Sequence, residues 1–130
     1  MPEHPNVGLV RKGYEAFAKG DMATLTQLWS EDGVWHWPGN TPFSGDHKGR
    51  DAVFRVFARY RELSGGTARV DLHDILANDE HAVALTRGMV SRQGKDLNVL
   101  ETHVYHVSNG KITEAWMFSE DQRLNDEFWS

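Results

Sequence analysis

The chain is 130 residues long and sets fourteen Lys and Arg against nineteen Asp and Glu, a net charge of -5 at neutral pH. With no cluster of basic residues, that balance excludes a phosphate-reading surface and hence a nucleic-acid partner. The sequence has no cysteine, which excludes disulfides, thiolate zinc sites and a cysteine nucleophile. No run approaches the roughly twenty apolar residues of a membrane span.

One domain over 1–130, with a core of its own, fits this length. Met1-Pro2-Glu3-His4-Pro5 lacks the regions of a signal peptide, so a cytoplasmic location is expected. Val7, Val10, Tyr14 and Phe17 recur at helical spacing and predict an amphipathic first helix, closed by Gly20. Asp21 suits the N-cap of a second helix, which buries Leu25, Leu28 and Trp29. Val34-Trp35-His36-Trp37 reads as a short strand stopped by Pro38-Gly39, followed by a polar loop from Asn40 to Gly49. A third helix buries Val53, Val56, Phe57 and Tyr60.

After Ser64-Gly65-Gly66 the pattern turns to alternation. Strands are predicted from Arg69 to Ala77, Ala82 to Ser91, Asp96 to Val107 and Lys111 to Phe118. Asn78-Asp79-Glu80, Gln93-Gly94 and Asn109-Gly110 supply hairpin turns. Helices first and an antiparallel meander afterwards indicate an α+β fold with helices on one sheet face. Phe128-Trp129 closes a polar tail and is expected to fold back onto the body.

The chemistry concentrates in one strand. Glu101, His103 and Tyr105 alternate and therefore share a face. A carboxylate, an imidazole and a phenol are all proton-transfer groups. On a cavity wall they form a site; facing water or a partner, they are only a polar surface. A buried histidine held by Glu101, with no chemistry, is the bland alternative. Tyr14, Trp29, Phe54, Phe57, Val90 and Met117 suit either core or cavity lining. His36 points outward under strict alternation if Trp35 and Trp37 point in, unless a bulge before Pro38 re-aims it. Arg87 and His106 fall on the outer face. Glu101 and His103 with His36 or His73 form no tight ligand spacing, so no metal is expected. No phosphate loop implies a nucleotide, and no nucleophile elbow appears.

The order of elements resembles the nuclear-transport-factor-2-like superfamily, in particular its SnoaL-like branch. The resemblance rests on Tyr14-Glu15-Ala16-Phe17 with Gly20-Asp21, on Trp35-His36-Trp37-Pro38-Gly39, and on Gly45 and Gly49-Arg50. His103-Val104-Tyr105, Asn109-Gly110-Lys111-Ile112 and Glu114-Ala115-Trp116 complete it. It implies a cone: a curved mixed β-sheet with three N-terminal helices, enclosing a pocket for small, mostly apolar molecules. Homodimers through the convex sheet face are also implied, and alternation puts Arg87, Met89, Thr102, Val104, Trp116 and Phe118 there.

Ketosteroid isomerase is a member of this group. Counting its roles across puts its general-base position on Trp37 and its oxyanion tyrosine on Gly13, one residue from Tyr14. Its oxyanion aspartic acid falls on His103. None of the three groups is kept, which speaks against that mechanism. Polyketide cyclases of the branch often carry an acid where this chain has Met117.

The expected function is a cofactor-free acid/base enzyme (isomerase, dehydratase or aldol-type cyclase) on a small apolar carbonyl or hydroxy compound. His103 is the expected acid or base, with Glu101 orienting it and Tyr105 or Tyr14 donating to the substrate oxygen. His36, Trp37, Phe54, Phe57, Val90 and Met117 complete the expected lining. The alternative is a dimeric ligand-binding protein without turnover. Replacing His103 by Ala is expected to cost turnover and little stability.

Overall fold

The computed structural model describes residues 3–130. Helix α1 (Pro5–Lys19) begins at His4, whose ring accepts the Asn6 amide, and has proline at its first position, where no amide bond is lost. It ends at Gly20, whose φ of 69° is the left-handed cap that favours glycine. Asp21 then caps α2 (Met22–Leu28), accepting from the Thr24 amide. Trp29 opens strand β1 (Trp29–Trp37) rather than closing α2 as the sequence suggested. Next come β2 (Gly45–Lys48) and α3 (Arg50–Leu63). The strands β3 (Arg69–Ala77), β4 (His81–Arg92), β5 (Lys95–Ser108) and β6 (Lys111–Ser119) follow. Helix α4 (Gln122–Trp129) ends the chain.

The strands form one sheet in the order β2-β1-β6-β5-β4-β3. β1 runs parallel to β6, and every other pair is antiparallel. The expected α+β fold with a curved, unclosed mixed sheet is therefore present. Two elements were not expected: β2 lies inside the segment read as loop, and the tail carries a fourth helix. Irregularities between Trp29 and Val34, Leu72 and Asp74, and His106 and Val107 interrupt the ladders, and such bulges strengthen a sheet's local twist.

Period-two alternation sorts the sheet into an inner and an outer face. Ala82, Ala84 and Ala115 on the inner face are fully buried; side chains this small leave space above the sheet. Aromatic residues fill the rest: Trp35 meets Phe57 edge-on at 5.0 Å and Trp29 meets the same ring at 6.2 Å. Such pairs add about 0.5–1.5 kcal/mol each beyond area burial. α4 folds back as expected of the tail, setting Trp129 edge-on to Phe43 at 4.8 Å. No described helix is long and apolar enough to cross a membrane.

Candidate functional site

A cavity of about 80 Å³ lies between α1, α3 and the inner face of β1, β5 and β6. Phe17, Trp29, Trp35, Trp37, Phe57 and Met117 give it apolar walls, while Tyr14, Tyr60, Glu101, His103 and Tyr105 supply the titratable groups. Tyr14, Phe17 and Val70 also line a second hollow of about 240 Å³, which reaches Arg61 and Ala68. Ligand pockets run from roughly 300 to 1,000 Å³. The inner cavity is the size of a fragment of a few heavy atoms, and it shares Tyr14, Phe17 and Val70 with the outer hollow.

Four of the polar side chains are bonded in series. His103 Nε2 is 3.2 Å from Glu101 Oε1, and its Nδ1 is 2.5 Å from the Tyr14 hydroxyl. The Tyr14 hydroxyl is in turn 2.6 Å from that of Tyr105. Proton counting fixes the direction. A carboxylate only accepts, so Nε2–H donates to Glu101 and Nδ1 is left as an acceptor. Tyr14 then donates to Nδ1, and Tyr105 donates to the Tyr14 oxygen. Both nitrogens of His103 are therefore engaged.

The ring is also fixed by packing. Tyr14 stacks on it at 5.8 Å and Trp35 meets it edge-on at 6.0 Å, leaving His103 only 4% exposed. Gly88 on β4 leaves room for the carboxylate, since a Cβ there would sit 3.4 Å from Glu101 Oε1.

The three phenols are held as donors. Burial pushes Tyr14 well above the usual tyrosine range, and Tyr105 and the Glu101 charge add to the rise. Burial raises Tyr105 against the opposing Tyr14 hydrogen bond, with Glu101 adding to the rise. Burial and then Glu101 raise Tyr60.

Of the residues expected at the site, Tyr14, Trp37, Phe57, Glu101, His103, Tyr105 and Met117 line the cavity. Gly13 lines it too, so the one-residue offset between the two does not exclude Tyr14. Three expected residues lie elsewhere. His36 faces outward, held between Asp46 at 2.7 Å and Glu114 at 2.6 Å and stacked on Trp116. No bulge reverses it, because the β1–β2 register is unbroken from Val34 to Trp37. Phe54 is half-buried one turn away, stacked on Phe57 at 6.3 Å. Val90 is buried in the core beyond the cavity, paired with Leu97.

Tyr60, expected in the core from its place on the apolar stripe of α3, also lines the cavity. The signal available was its hydroxyl, which a core position must satisfy. Arg87, bonded to Asn98, and His106, beside Trp116, are on the outer face as expected.

The chain thus has a two-layer α+β fold with a narrow, aromatic-walled cavity and a half-buried carboxylate. The sequence pattern of the SnoaL-like domain family matches residues 10–115, and the chain belongs to that family. The uncharacterized protein Rv0034 of Mycobacterium tuberculosis is 34% identical over the full length of both chains. Bal32a, from a soil-derived mobile gene cassette, superposes with a TM-score of 0.92 at 40% identity, covering 96% of each chain. A protein of unknown function with a cystatin-like fold from Xanthomonas campestris gives 0.90 at 30% identity, covering 98% of this chain and 99% of its own.

Proposed function

We propose that this protein is a cofactor-free acid/base enzyme whose substrate is a small, largely apolar carbonyl or hydroxy compound held in the cavity. The single observation that carries the reading is the series Glu101–His103–Tyr14–Tyr105. A carboxylate held by an imidazole N–H in an apolar enclosure is a positioned proton acceptor. The phenols keep the series polarised in one direction. Structural packing alone requires no carboxylate here: a fully apolar wall costs less than a buried acid.

Positioned acids and bases contribute typically 10²–10⁴-fold to a rate. The test is hydrogen–deuterium exchange at carbons next to the carbonyl in a panel of cyclic ketones and hydroxyketones, followed by NMR in D₂O. Exchange above buffer that falls in the Glu101→Gln variant is the expected result. Binding of the panel with no exchange for any member would instead identify a ligand-binding protein.

A further inference from the structure

The geometry points to Tyr60 as the hydrogen-bond donor to the substrate oxygen, opposite the unpaired oxygen of Glu101, and so to an enolisable ketone as substrate. This rests on the acid/base reading above and assigns its two substrate-facing atoms.

The titratable groups of the cavity differ in what they have left to give. His103 has spent both nitrogens, and the protons of Tyr14 and Tyr105 are committed along the series. Glu101 uses only Oε1; Oε2 makes no hydrogen bond to any described residue. The Tyr60 hydroxyl likewise has no partner among the described residues, although its ring lines the cavity. No side-chain polar atom that is sealed from solvent goes unpaired, so this half-buried hydroxyl opens onto space and is free to meet a ligand. Among these titratable groups, Tyr60 keeps the uncommitted O–H and Glu101 the uncommitted carboxylate oxygen.

Tyr60 is also packed in place. Trp37 at 5.4 Å, Phe43 at 5.3 Å and Trp129 at 5.6 Å enclose its ring. A preorganised donor costs no reorganisation when charge develops on the oxygen it faces. Tyr60 and Glu101 line the same cavity. Together they fit one step. The C–H bond next to the carbonyl breaks, its proton passes to Glu101 Oε2, and the electron pair moves onto the carbonyl oxygen, held by the Tyr60 O–H. Returning the proton to the same or a neighbouring carbon completes exchange or isomerisation without any co-reactant. His103 is then a positioning residue that aims the carboxylate.

The test compares cyclopentanone with methylenecyclopentane, which has the same shape and lacks the oxygen, by titration of the tryptophan fluorescence. The ratio of ketone to hydrocarbon affinity should be roughly threefold to tenfold higher in wild type than in Tyr60→Phe, the range of one hydrogen bond. Tyr60→Phe keeps the ring and should leave the melting temperature unchanged, because the hydroxyl had no partner to lose. The same ratio in both proteins overturns the Tyr60 assignment. Exchange of the cyclopentanone α-hydrogens in D₂O reports on Glu101 separately. Its absence in wild type, beside a Tyr60-dependent ratio, overturns the acid/base reading and leaves the donor assignment standing.

Discussion

His103 holds two groups at once, so its removal is felt twice. His103→Ala leaves the Tyr14 proton without an acceptor and frees Glu101 to swing. Turnover should fall by about 10²- to 10⁴-fold. Stability should fall too, by about 1–3 kcal/mol, because a buried donor is left unsatisfied; thermal unfolding measures this. The sequence alone suggested little loss, on the view that the cavity was open. A ring 4% exposed and bonded on both nitrogens is not in an open cavity. His103→Gln retains hydrogen bonding without an imidazole proton. It should recover most of the stability and much of the rate, as expected of a residue that aims Glu101 and does not itself carry the proton.

At the scale of elements, the outward His36 ties β1 to β2 and β6 through Asp46 and Glu114. Burial alone would lower its pKa, but the hydrogen bonds to both carboxylates prevail and raise it. The Asp46 carboxyl is held below its usual range chiefly by the His36 bond. The signs follow from linkage. A raised imidazole contributes stability that is full below its unfolded pKa and is lost as pH rises through the folded one. A lowered carboxyl contributes above its unfolded pKa and is lost as pH falls. The melting-temperature gap between wild type and His36→Gln should therefore be widest in mildly acidic solution and narrow with rising pH. Asp121 caps α4 by accepting from the Leu124 amide, and Asp121→Ala should cost about 1 kcal/mol in chemical denaturation.

The two strands of this clasp differ in how far the sequence revealed them. β1 was legible because tryptophans alternate around His36, and the shared face of Glu101, His103 and Tyr105 was legible for the same reason. β2 was not: Gly45-Asp46-His47-Lys48 offers no apolar alternation, and its pairing depends on β1 as a neighbour. The eight residues of α4 are held by burying Phe128 and Trp129, information that no local pattern contains. Tyr60 illustrates the same limit, since helical spacing marks a buried ring and cannot say whether its hydroxyl finds a partner.

For the whole molecule, the outer sheet face leaves Leu76 at 56%, Leu100 at 48% and Phe118 at 53% exposed. Apolar groups gathered on one open face usually mark an association surface, and two copies related by a twofold axis would cover it. Sedimentation at micromolar concentration should report a dimer, and Phe118→Glu should shift it towards monomer; a wild type that stays monomeric removes this expectation. The parallel pairing of β1 with β6 also has a consequence in time. His36 and Glu114 are 78 positions apart, and a ribosome adds roughly 5–20 residues per second. β1 must therefore wait on the order of 4–16 s for its inner neighbour to be made. Throughout that interval Trp29, Trp35 and Trp37 belong to a nascent hairpin with one long edge unpaired, the state most prone to pairing with the wrong strand. Newly made chains thus have a window of vulnerability that the finished protein does not share.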